Sequence, residues 1–212
     1  MKTQVPLRCR WSALAALIAV VTCATMSAAA EFSADLVATQ GGSTITGKFY
    51  VKGTKARQEL VVAGAKTVMI LLSDKKVAWF INPDKKTYLE IRGNVPDLAM
   101  LAEPKVPANV GTRKLVGKEK VNGYLCDKYA LVFKDKRQGT VYQWVSPKLK
   151  VPLKTEQRVG GKSSVMELKN VKEGKVPSAL FQVPAGYKKL EMPGVRGGPG
   201  ASGGKPRPTA PK

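Results

Sequence analysis

Turn signals recur at short intervals along most of this chain, and they constrain its fold more than any other feature. They fall at Gly41-Gly42, Gly53-Thr54, Gly64-Ala65, Asp74-Lys75, Pro83-Asp84, Asn122-Gly123, Asp135 to Gly139, Pro147 and Gly160-Gly161. The segments between them are rich in β-branched and aromatic residues and have the length of ordinary strands, a pattern that specifies an antiparallel meander. Strands are expected near 32–39, 43–52, 55–63, 66–73, 76–82, 86–92, 111–121, 124–134, 139–146, 151–160 and 163–172.

One stretch breaks the rhythm. In NVPDLAMLAEPKVPANV, residues 94 to 110, Pro96 and Asp97 open a helix and Pro104 stops it. Leu98, Leu101 and Ala102 fall on one face of that helix, and a second helical turn is expected over Pro177 to Phe181.

The two ends differ from the middle. Lys2, Arg8 and Arg10 precede a short apolar run that closes on Ala28-Ala29-Ala30. This is the pattern of a secretory signal with cleavage before Glu31, and the run is short against the ~20 residues a membrane span requires. Residues 1–30 are therefore expected to be a signal peptide, 31–192 one domain, and 193–212 a disordered Gly/Pro/Lys tail with little to bury. Periplasmic or secreted localisation follows. Of the three cysteines, Cys9 and Cys23 leave with the signal, and Cys126 is expected to be a small buried residue.

The chain contains no histidine, which excludes Ser-His-Asp and Cys-His catalysis and imidazole metal sites. Its acids are spread out, and no Gly-rich phosphate loop stands at a strand–helix junction. A non-enzymatic protein without cofactor or metal is expected. The net charge is +21, and removing Lys2, Arg8 and Arg10 with the signal leaves +18. Lysines crowd the turns. Lys75, Lys76, Lys85, Lys86, Lys148 and Lys150 are the candidate anion contacts, for lipid head groups or another anionic envelope component. Lysine at hairpin ends also serves simply to keep sheet edges soluble. Nucleic acid is not an expected partner, because Trp79, Phe80, Tyr142 and Trp144 sit in apolar strands that read as core. The oligomeric state is not legible.

Residues 67–72, TVMILL, and 77–81, VAWFI, are apolar on both faces, so something must cover each face. The helices on offer are short. Either the sheet curls until its own side chains fill the inside, or an apolar cavity remains that a lipid-like molecule can enter.

Several segments carry a resemblance. FSADLVATQ followed by GKFYVKGTKARQEL, then AWFINPDKKTYLEI, is similar to the opening strands of the outer-membrane lipoprotein carrier (LolA/LolB-like) superfamily. YQWVSPKLKVPLKTEQ resembles the hairpin in which a strand ends at a proline turn and returns with a further Pro-aliphatic-Lys. VNGYLCDKY and VPSALFQVPAGYKKL resemble closing segments of small exported families of uncharacterised function in that superfamily. The likeness spans roughly Phe32 to Leu190. It implies a mainly β fold: a single antiparallel curved sheet, a half-barrel of about 11 strands, with one or two short helices on the concave side. It implies a lipid or lipoprotein acyl chain as ligand, with residues 94 to 107 as a lid. The candidate cavity residues are Val68, Ile70, Leu72, Trp79, Ile81, Leu98, Leu101, Tyr142 and Trp144; periodicity alone does not say which face is concave. The alternative is an interaction module that binds an acidic polymer or protein of the envelope through its basic surface.

Overall fold

The computed structural model describes residues 30–93, 95 and 103–191. Residues 1–29 of the expected signal, the expected tail at 193–212, and residues 94 and 96–102 of the stretch expected to hold a helix lie outside these residues. The strands are β1 (Glu31–Gln40), β2 (Ser43–Lys52), β3 (Lys55–Val62), β4 (Ala65–Leu72), β5 (Val77–Asn82), β6 (Thr87–Arg92), β7 (Gly111–Val121), β8 (Tyr124–Phe133), β9 (Thr140–Ser146), β10 (Val151–Val159), β11 (Lys162–Glu173) and β12 (Lys188–Leu190). They form one twelve-stranded sheet in the order β12-β6-β5-β4-β3-β2-β1-β11-β10-β9-β8-β7.

Two meanders, β1–β6 and β7–β11, are joined where β1 pairs with β11. The hairpins are antiparallel because their connections are tight. Asn122 and Gly123 both have positive φ (49° and 87°), the geometry of a two-residue turn matched to strand twist. Sequence reading missed β12, which is only three residues long and runs parallel to β6. It has no periodicity to betray it and depends on its neighbour.

Register decides which face each residue occupies. Phe32, Ala34 and Leu36 on β1 stand opposite Val51, Phe49 and Gly47 on β2. Phe49 and Val51 stand opposite Gln58 and Ala56 on β3, which in turn oppose Met69 and Leu71 on β4. Across β11 the same face continues through Leu168 and Met166 to Thr155 and then Gln143 on β9. Leu36, Phe49 and the residues of this face on β3, β4 and β9–β11 border one cavity of about 260 Å³. In a flat sheet with strands ~4.8 Å apart, β4 and β9 would lie about 29 Å from each other. A cavity so small cannot span that width, so the sheet bends towards this face, which is the concave one.

The neighbouring residues point outward. Val68, Ile70 and Leu72 on β4, with Val77 and Ile81 on β5, form a second buried cluster with Val176 and Phe181. The chain after β11 is the cover. It crosses the convex side as a strap, places a 3₁₀ turn at Ser178–Phe181 over β4, and ends as β12. The expected helical turn is therefore present, but on the convex side, because that side of β4 and β5 is as apolar as the other. Polar ties hold the strap: Lys52 Nζ donates to Val176 O (2.9 Å), Arg57 Nη1 to Leu180 O (2.8 Å), and Lys188 N to Lys86 O (2.9 Å).

Phe181 is the buried anchor of the strap. Phe181→Ala is expected to cost about 3–5 kcal/mol of stability in urea unfolding, as for other buried aromatic truncations. A loss below about 1 kcal/mol, the level of a surface substitution, would mean that the strap does not pack as described.

Candidate functional site

The cavity on the concave face draws on most of the strands in the middle of the sheet. β1 supplies Leu36, β2 Phe49, β3 Ala56 and Gln58, β4 Met69 and Leu71, and the β9–β11 wall supplies Gln143, Val151, Pro152, Thr155, Met166 and Leu168. Among the described residues no charged side chain lines it. The polar groups are two amides and one hydroxyl, suited to orienting a guest without demanding a counter-ion. Below the cavity Phe32 and Phe49 pack with ring centroids 6.3 Å apart, and Val51, Val151 and Leu153 close the floor. Val95, at the start of the connection between β6 and β7, packs on this same cluster. β6 and β7 stand near opposite ends of the strand order.

Most of the residues expected to line the cavity lie elsewhere. Val68, Ile70, Leu72 and Ile81 lie under the strap on the convex face. Trp79 packs beside them and donates its indole N–H to Glu90 (2.9 Å). Tyr142 and Trp144 do not border the cavity either: Trp144 belongs to the buried cluster that holds Phe32, Phe49 and Leu153, and Tyr142 packs against that cluster. Trp144 is 3% exposed, with Lys128 and Lys154 stacked 4.8 and 4.6 Å from its ring and its N–H donated to Glu119 (2.6 Å). Leu98 and Leu101 lie outside the described residues. The actual lining of β3, β4 and β10 was passed over because Ala56, Gln58 and Thr155 do not look like a binding surface on their own. The usable signal was in β3. Arg57 and Glu59 mark its outer face, so Ala56 and Gln58 must point inward, and register carries that assignment to Met69 and Leu71.

The anion-contact candidates divide between the two ends of the sheet. Lys75 and Lys76 follow β4, and Lys148 and Lys150 join β9 to β10, all at the end where β1 begins. Lys85 and Lys86 join β5 to β6 at the other end. The structure therefore does not gather the six into one patch.

Two carboxylates fasten the strap. Glu90, 10% exposed, accepts from Arg92 Nε (2.7 Å), Trp79 Nε1 (2.9 Å) and Lys189 Nζ (3.1 Å). The Arg92 guanidinium first, then the Trp79 indole, pull its pKa down to about 2. Glu31 accepts from the Val176 N–H and from Lys52, which likewise lower its pKa. Cys126 is fully buried, and burial pushes its thiol up to about 11.

A family model described as a domain of unknown function, DUF4412, matches residues 33–150, more than half of the chain. The chain belongs to the DUF4412 family. The matched region holds the β1–β4 wall of the cavity, while β10, β11 and the strap follow it. No curated protein matches the sequence. Among similar solved structures is an uncharacterized conserved protein from Thermus thermophilus, at 10% identity and TM-score 0.56, covering 77% of this chain and 91% of that one. Another is MucB in the Pseudomonas aeruginosa MucA/MucB complex, at 17% identity and TM-score 0.51, covering 75% of this chain and 57% of that one. A LolA superfamily protein from Nitrosomonas europaea also matches, at 11% identity and TM-score 0.34, covering 73% and 90%. The chain spans 57–58% of the MucB length, and these likenesses are of fold.

Acid should loosen the strap. Glu90 has a lowered folded pKa, so its contribution is full above its ordinary value near 4.5 and is lost as pH falls towards 2. At roughly 1.4 kcal/mol per pKa unit, the loss is up to about 3 kcal/mol. Stability measured from pH 5 to 2 should fall less steeply in Glu90→Gln than in the parent protein; equal slopes would refute this assignment. The Cys126 thiol should resist alkylation at pH 8 until the protein is unfolded, and rapid native labelling would contradict its burial.

Proposed function

We propose that this protein is an exported, non-enzymatic binding protein that holds an acyl chain of a lipid or lipoprotein in the concave cavity. The observation that carries the reading is the contrast between the two apolar faces. The convex one is filled by the chain's own strap, whereas the concave one keeps about 260 Å³ bordered by aliphatic side chains. That volume lies just under the ~300–1,000 Å³ usual for ligand pockets, so it suits one short chain or the end of a longer one, with the head group outside. The motif resemblance to the lipoprotein-carrier superfamily supports the same ligand class. It also supports residues 94 to 107 as the lid, residues 1–30 as a cleaved signal, and periplasmic or secreted residence. On this reading the turn lysines hold the protein near anionic head groups while the cavity does the binding.

The test is native mass spectrometry of protein purified from an exporting host, joined to titration with a fluorescent fatty acid. A co-purifying amphiphile and saturable uptake are expected. Thr155→Trp, which puts an indole into the cavity, should weaken uptake by about tenfold or more through lost apolar contact. Lys85→Glu with Lys86→Glu should leave uptake unchanged, as should added salt. No amphiphile and no uptake would overturn the proposal. Uptake abolished by salt would instead favour a surface that binds an acidic polymer or protein.

A further inference from the structure

The two edges of the sheet differ in kind. One is closed by β12, three residues held by the strap. The other is β7, eleven residues from Gly111 to Val121, and among the described residues no strand pairs on its far side. Such an edge presents unpaired N–H and C=O groups to any extended chain that fits.

β7 is selective about what fits. It carries Arg113, Lys114, Lys118 and Lys120 against one acid, Glu119. Its register shifts between Leu115 and Gly117. Without that bulge Arg113 would point to the opposite face from Lys118 and Lys120. With it, the three stand opposite Leu131, Asp127 and Leu125 of β8, which share one face. Lys118 reaches Asp127 at 3.5 Å and Arg113 stacks on Tyr129 at 3.4 Å, while Lys120 has no acidic partner among the described residues. Beside these cations Leu125 is 62% and Leu115 56% exposed, unusual for leucines of a paired hairpin.

We propose that β7 is a docking edge that takes an extended acidic peptide segment of another protein as an additional strand. Carboxylates at alternate positions of the guest would meet Arg113, Lys118 and Lys120, and its intervening main chain would complete the open ladder. A second copy of this chain fits poorly. Each copy brings four cations and one acid to this edge, so a second β7 lacks the complementary charge that an acidic strand supplies. The inference stands on the edge strand and does not depend on the cavity.

The experiment uses the full chain and a labelled peptide of about ten residues with Glu alternating with Val or Thr. The controls are the same peptide with Lys for Glu, and the acidic peptide interrupted by two prolines. Fluorescence anisotropy should show binding of the acidic strand only, weakening with salt. Amide hydrogen exchange should slow within 111–121. Lys118→Glu with Lys120→Glu, both solvent-facing, should reduce affinity for the acidic peptide by at least about tenfold and admit the lysine peptide. A thermal melt checks that the variant remains folded. The proposal fails if the proline-interrupted peptide binds equally, if protection appears away from β7, or if β7 is already protected by self-association without peptide.

Discussion

The central constraint is that β4 and β5 are apolar on both faces, and among the described residues it is the convex face that the strap covers. The strap after β11 shelters Val68, Ile70, Leu72, Val77 and Ile81 on the convex side, with Phe181 as its anchor. The concave side has to rely on curvature. Bending brings the β9–β11 wall over Leu71 and Met69, and what the bend does not fill remains as the cavity. Strap and cavity are thus two answers to one problem of apolar area. The convex answer consumes the last strand and its approach, which are then not available on the concave face.

Polar chemistry is arranged around this division. Carboxylates sit where elements distant in sequence must be fastened: Glu31 joins the first strand to Val176, and Glu90 joins β5 and β6 to Lys189 of β12. Cations are used differently. Lys128 and Lys154 lie over Trp144, and Arg158 lies 5.0 Å from the Tyr142 ring, so part of the large positive charge roofs aromatic rings. The cavity is left uncharged, which suits a guest held by dispersion and shape.

Much of the fold was legible in the residues. The paired turn signals and the β-branched runs between them locate eleven of the strands to within a residue or two, because tight hairpins are specified locally. The pairing of β1 with β11 was not legible, since nothing local distinguishes that neighbour from another. The site was harder for a related reason. Runs such as TVMILL are apolar throughout, so the face each residue occupies is decided by partners several strands away. β1, β2 and β3 alternate cleanly enough to reveal it. Trp79, Tyr142 and Trp144 attract attention by size, yet none of them borders the cavity, which is lined by smaller and plainer side chains.

The meeting of β1 with β11 also governs when this molecule becomes a sheet. Glu31 and Val176 stand 145 residues apart along the chain. The first meander can form its hairpins early, but its inner edge waits for a partner far downstream, and folds dominated by distant pairings are slow to form. A newly made chain therefore spends a long interval without its finished architecture, the state in which a polypeptide can still be threaded through a narrow pore.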